Sequence, residues 1–168
     1  DVFEKMRHQG KKTIAVSDAI IKVELISSAD FASSYDPHFW FSIPKWKKAT
    51  VYVAEELSKL DPKNAKLYAK NAKAYIKRLL TLENNNKNYL ESLPIEKRIL
   101  VTAHDAFAYF GKNYNFKVVS LQGLSTATEA GVQDVQRISS FIIENNIKSI
   151  FIESSVPVRT VQSLQAAV

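Results

Sequence analysis

The spacing of apolar residues along this chain changes twice. It opens with two short runs dominated by β-branched and apolar residues, Thr13-Ile14-Ala15-Val16 and Ile20-Ile21-Lys22-Val23-Glu24-Leu25, which predict two brief strands. Residues 27–35 are rich in Ser, Ala and Asp and follow no period, so a loop is expected there, leading into Asp36-Pro37-His38-Phe39-Trp40-Phe41. Helical spacing then takes over. Trp46, Ala49, Val53 and Leu57 predict a helix over 44–60, and Asp61-Pro62 ends it and starts another. In the second helix Ala65, Tyr68, Ala72, Tyr75, Leu79, Leu82, Tyr89 and Leu93 recur in steps of mostly three and four, with a polar gap at Asn86, until Pro94 closes the run. About thirty residues at a rise of about 1.5 Å span roughly 45 Å, more than the width of a small domain. A helix of that length is expected to bridge two lobes or to pair with a partner.

After Pro94 the pattern alternates: a strand at 98–101, a helix at 106–112, a strand at 117–121, an amphipathic helix at 132–145 on Val132, Val135, Ile138 and Ile142, and a strand at 149–152. A further helix is expected to begin at 158. Short, fully apolar strands alternating with helices imply an α/β fold with a parallel sheet covered by helices. Ligands of such sheets gather at the carboxyl ends of the strands. That rule singles out 102–105, 122–129 and 153–155.

Composition narrows the chemistry. The 168 residues are 46% hydrophobic, enough for a sizeable core. The net charge of +6 is carried by basic residues that, between Lys45 and Arg98, alternate with Glu, Asn and Ala along the expected helices, which reads as a solvated face and not a nucleic-acid surface. No apolar run approaches the roughly 20 residues needed to span a bilayer, so membrane association is expected only through an anchor outside these residues. With no cysteine, thiolate ligands and nucleophiles are excluded and His, Asp and Glu are left as metal donors. Gly123 and Gly131 lack a following Lys-Ser or Lys-Thr, so no phosphate-binding loop is expected.

Three histidines are present. His104 follows an expected buried strand and is succeeded by Asp105, a position that suits a metal ligand, a structural donor or a general base. His38 stands beside Asp36 and the aromatic cluster Phe39, Trp40 and Phe41, whose apolar wall would strengthen an ion contact or simply form core. His8 lies in the polar stretch Lys5-Met6-Arg7-His8-Gln9 and is not expected to act. Glu153 ends the last expected strand, where a carboxylate can support a ligand or accept from the amides of a helix start. Ser125, Ser154 and Ser155 sit at strand ends but in no Gly-x-Ser-x-Gly elbow, and no His-Glu-x-x-His pair occurs, so both hydrolase arrangements lack their motif.

Four segments can be read together: Asp36-Pro37-His38-Phe39-Trp40-Phe41, Val101-Thr102-Ala103-His104-Asp105-Ala106-Phe107-Ala108-Tyr109-Phe110, Leu121-Gln122-Gly123-Leu124-Ser125-Thr126-Ala127-Thr128-Glu129-Ala130 and Ile150-Phe151-Ile152-Glu153-Ser154-Ser155-Val156. In order and spacing they resemble the TroA-like zinc- and manganese-binding receptors of bacterial ABC transporters. The resemblance implies two α/β lobes joined by one long backbone helix: the end of a first lobe at 1–61, the helix at 62–93, and the first part of a second lobe at 94–168. It further implies a divalent ion held by four side chains, His38 matching the second and His104 the third, with Asp36, Asp105 and Glu153 behind them. The first and fourth have no counterpart in these residues, as expected of a fragment truncated at both ends. Zinc is the cargo implied by a histidine at 104, with manganese and iron as alternatives. The implied role is capture of the ion at the outer face of the cytoplasmic membrane or in the periplasm and delivery to a permease, without catalysis. A surface adhesin on the same scaffold is the alternative, followed by a metal-dependent hydrolase.

Overall fold

The first two apolar runs do not form strands. In the computed structural model, which describes residues 2–27, 35–122, 131–153, 162 and 164–166, Val16–Ala19 and Lys22–Glu24 are single 3-10 turns. Their amides are satisfied locally, Ile20 N–H by the Ser17 carbonyl (2.9 Å) and Leu25 N–H by that of Lys22 (3.1 Å). An isolated extended segment leaves its backbone unpaired, and no strand among the described residues lies alongside to pair with it. Only Ile20 of these apolar residues is buried, while Ile21 and Val23 face solvent. A short helix precedes them, α1 (Val2–His8), and His8 is exposed at its end.

The two long helices form as the spacing predicts. Helix α2 runs Ile43–Leu60 and buries Ile43 and Ala49, together with Glu56, whose carboxylate meets Lys59 and Lys12. A 3-10 turn at Pro62–Asn64 leads into α3 (Ala65–Glu91), whose 27 residues extend for about 40 Å. Of the α3 stripe only Leu79 is buried, whereas Tyr75, Leu82 and Tyr89 are exposed. Val51, Ala54, Ala69, Ala72 and Ile76 line an open apolar groove of about 560 Å³ along α2 and α3.

Beyond α3 the alternating pattern produces β1 (Ile99–His104), α4 (Ala108–Tyr114), β2 (Lys117–Gln122) and α5 (Val132–Glu144). The strands are parallel, in register from Ile99 opposite Lys117 to His104 opposite Gln122. The expected strand at 149–152 is reduced to one parallel bridge between Phe151 and Thr102, with Phe151 N–H donating to the Val101 carbonyl at 2.8 Å. Helix α4 starts two residues later than expected, because Ala106 N–H first closes a turn onto the His104 carbonyl (3.1 Å). Val101, Leu121, Ile138, Ile142 and Leu164 form the core, and Ile99, Val119, Val135, Phe141, Ile147 and Ile150 pack around it. Val132, expected on the buried stripe of α5, is exposed in its first turn. Most of the helix expected from 158, and the segment 123–130, lie outside the described residues.

The chain divides into two compact units, one of residues 1–25 and 43–83, the other of residues 26–42 and 84–168. The second unit contains both His38 and His104.

Candidate metal centre

His104 is the last residue of β1, on the face it shares with Thr102 because side chains alternate along a strand. The Thr102 hydroxyl donates to the His104 carbonyl at 2.9 Å, fixing the backbone where the strand ends. Its ring Nδ1 meets the carboxylate of Glu153, which lies just beyond the Phe151 bridge. The third short β segment, although only a bridge, thus delivers the group that orients the histidine.

His38 is oriented by its own neighbour. Asp36 Oδ1 accepts from the His38 backbone N–H at 2.8 Å and pairs with ring Nδ1 at 2.7 Å, a turn in which a short acidic side chain caps the chain two residues on. Pro37 between them disfavours helical geometry at Asp36 and keeps this turn from being absorbed into the 3-10 turn that follows, Phe39–Phe41. Asp36 and His38 are both buried, 3% and 8% exposed. The Phe41 ring packs on Phe107, at the start of α4, with centroids 4.4 Å apart.

The two imidazoles come together edge to face, their centroids 5.5 Å apart and their planes at 69°. Trp40 closes a third side, its ring 5.2 Å from that of His38. Since a carboxylate takes Nδ1 of each ring, each presents Nε2 as the nitrogen with a lone pair to give. One oxygen of each carboxylate, Asp36 Oδ2 and Glu153 Oε1, is buried without a hydrogen-bond partner among the described residues. Buried negative charge is costly unless a cation accompanies it, so two imidazoles backed by two carboxylates form a donor set suited to a dication. Among the described residues no group of three or more His, Asp or Glu side chains is arranged to hold an ion.

Of the residues singled out from the sequence, Asp36, His38, His104 and Glu153 converge here, Asp105 lies in the bend after β1, and His8 is in the other unit. Ser125, Ser154 and Ser155 lie outside the described residues. Tyr109 and Thr102 also act in this region, through hydrogen bonds that their positions in the sequence did not announce. The Tyr109 hydroxyl is buried in α4, where burial raises its pKa, and it donates to the Asp36 carbonyl at 3.0 Å.

The whole of the chain, residues 1–168, matches the family model described as zinc-uptake complex component A, periplasmic. The chain belongs to that family. It is 42% identical over 98% of its length to the manganese-binding lipoprotein MntA of Bacillus subtilis, covering 53% of that protein. It is 39% identical over its full length to the zinc-binding protein TroA of Treponema pallidum, covering 54% of it. The solved structure of the periplasmic zinc-binding TroA of Treponema pallidum superposes with a TM-score of 0.92, over 99% of this chain and 59% of that one. A structure of the laminin-binding adhesin Lmb of Streptococcus agalactiae matches at 26% identity with a TM-score of 0.84, over 97% of this chain and 60% of that one. The chain therefore spans about half the length of the curated relatives it matches. The zinc-uptake component family thus accounts for the whole sequence, and no helix of the described residues is long and apolar enough to cross a membrane.

Proposed function

We propose that this chain is part of the receptor of a metal ABC transporter, binding a divalent transition metal through Nε2 of His38 and His104 and passing it to a membrane permease. The observation that carries the reading is the convergence of the two rings, each held at Nδ1 by a carboxylate. Membership of the zinc-uptake component family supports the transport role. Zinc is the preferred cargo, because neutral imidazole suits it, with manganese and iron as further cargoes. The protein binds and releases the ion and performs no covalent chemistry. It works in the periplasm or at the outer face of the cytoplasmic membrane.

In the whole receptor, residues 1–61 end a first lobe, 62–93 form the connecting helix and 94–168 begin a second. Residues 26–42, which this division counts with the first lobe, carry His38 to the residues of the second. Likeness to the adhesin Lmb supports a second reading, in which the same scaffold also engages a surface ligand.

The test is a competition titration of the chain with zinc against a chromophoric chelator. One site is expected, weakened severely by His38→Ala and by His104→Ala alike. Unchanged affinity in either variant would remove that histidine from the site.

A further inference from the structure

The turn that carries His38 is anchored at its first residue, Asp36, by one buried hydroxyl. Ile26 and Asp36 face each other across the neck of the segment between them: Asp36 N–H donates to the Ile26 carbonyl at 2.9 Å, and Ser27 and Tyr35 form an antiparallel bridge. The hydroxyl of Tyr109 completes this neck from the other side. It accepts from Ile26 N–H at 3.0 Å and donates to the Asp36 carbonyl at 3.0 Å, so it holds one backbone group of each strand of the neck. Tyr109 is 1% exposed, which keeps water from replacing it at either group.

The position of this clamp along the chain gives it a bearing on the ion. Asp36, whose carbonyl Tyr109 holds, is the residue whose carboxylate orients the His38 ring. Tyr109 itself stands five residues after His104, in the first turn of α4, whose preceding residue Phe107 packs on Phe41. A short path of covalent and hydrogen bonds therefore runs from the His104 backbone through Tyr109 and Asp36 to the His38 ring.

We propose that Tyr109 is a positioning residue for metal binding, its hydroxyl setting the place of the His38 imidazole relative to that of His104. This inference rests on the reading of the two histidines as donors to one ion. The phenol touches no ion. It fixes the separation of the donors before the ion arrives, so that binding does not have to order the Asp36–His38 turn. Removing a group that orients a ligand typically costs about 10- to 100-fold in metal affinity.

The experiment compares wild type, Tyr109→Phe, Ile142→Ala, His38→Ala and His104→Ala by chelator competition with zinc and by the visible spectrum of the cobalt(II) form. Ile142 lies in the core of the same unit and supplies a loss of stability from a side chain that takes no part in the hydrogen bonds of Tyr109 or of the two histidines. Tyr109→Phe is expected to keep one site per chain, lose about 10- to 100-fold in affinity, and change the intensity and position of the cobalt bands. Ile142→Ala is expected to leave the spectrum as in wild type. Replacing Tyr109 with 4-aminophenylalanine, which restores a donor to the Asp36 carbonyl, should recover much of the affinity. If Tyr109→Phe is unfolded in plain buffer, the same measurements are made in trimethylamine oxide, which favours the compact state.

Wild-type affinity and spectrum in Tyr109→Phe would overturn the role of the tyrosine while leaving both histidines in place. A spectrum disturbed equally by Ile142→Ala would overturn it too, since the effect would then belong to stability. Unchanged binding in His38→Ala or His104→Ala would instead sink the reading of the site, and this inference with it.

Discussion

The rings of His38 and His104 stand 5.5 Å apart at 69°, each held at Nδ1 by a carboxylate supplied from its own side. With a zinc–nitrogen bond of about 2.1 Å, an imidazole centroid lies roughly 3.2 Å from the ion, and two such rings at the tetrahedral angle are about 5.3 Å apart. The observed centroid separation is therefore close to that of two rings sharing an ion. The cost of assembling the pair is met mainly by folding, through the Asp36 turn and the Phe151 bridge.

The nature of the second donor should set which ion is preferred. Replacing His104 with Glu exchanges a borderline nitrogen donor for a hard oxygen, which suits manganese better than imidazole does. Competition titrations of His104→Glu with zinc and with manganese are expected to show the ratio of zinc to manganese affinity falling by about tenfold or more. An unchanged ratio would mean that position 104 does not coordinate the ion.

The supporting carboxylates are expected to differ in weight. Asp36→Ala removes the partner of both the His38 ring and its backbone N–H, from a residue 3% exposed, whereas Glu153→Gln keeps an amide at the place of a carboxylate whose side chain is 24% exposed. Asp36→Ala should lower zinc affinity toward the upper end of the roughly 10- to 100-fold range, and Glu153→Gln toward the lower end. Chelator competition on both variants checks the order. The reverse order would place the dominant support at His104.

Several of these relationships could be read from the sequence, and the exceptions have physical causes. Helical spacing located α2 and α3 within a few residues, because their apolar positions recur over many turns and the Asp61-Pro62 step interrupts them. Parallel pairing of β1 with β2 followed from two apolar runs separated by a helix. The failed strands at 13–16 and 20–25 have the composition of strands, but composition cannot supply a neighbour to pair with, and local 3-10 bonds satisfied the same amides. His38 and His104 are 66 positions apart, and their meeting was suggested by family resemblance, not by periodicity. The Tyr109 clamp was not legible at all. A hydrogen bond spanning 73 positions leaves no local pattern in either segment.

Gly111 marks where α4 meets the sheet. A Cβ at this position would lie 2.7 Å from Val118 Cγ2 and 2.8 Å from the Phe116 carbonyl oxygen. The valine methyl can turn away, but the carbonyl is part of the chain reversal that joins α4 to β2 and cannot yield without moving the strand. Alanine gains about 1 kcal/mol over glycine in helix propensity, while overpacking costs about 1–3 kcal/mol. Gly111→Ala should therefore be destabilising in net, seen as a lower urea midpoint without loss of the folded baseline. A raised midpoint would show that α4 can move away from β2 freely.

Asp61, between α2 and α3, supplies a pH dependence whose sign can be worked out. Its carboxyl is held below its ordinary pKa, first by the Asn64 amide, which donates to Oδ2 at 2.7 Å, and then by the Tyr68 hydroxyl at 2.9 Å. A carboxylate whose pKa is depressed by folding contributes stability that is fully present above its unfolded value and is lost as pH falls through the folded one. The loss should therefore begin near pH 4 and grow below it, with none between about pH 6 and 8. Glu24 and Glu56, lowered by their lysine partners, act in the same direction, so wild type alone cannot isolate Asp61. Asp61→Asn removes this one titration and leaves the others. Urea midpoints measured across the acid range should fall less steeply in Asp61→Asn than in wild type, and the two should run parallel near neutrality. Parallel profiles throughout would mean that the helix junction keeps its hydrogen bonds with the carboxyl protonated.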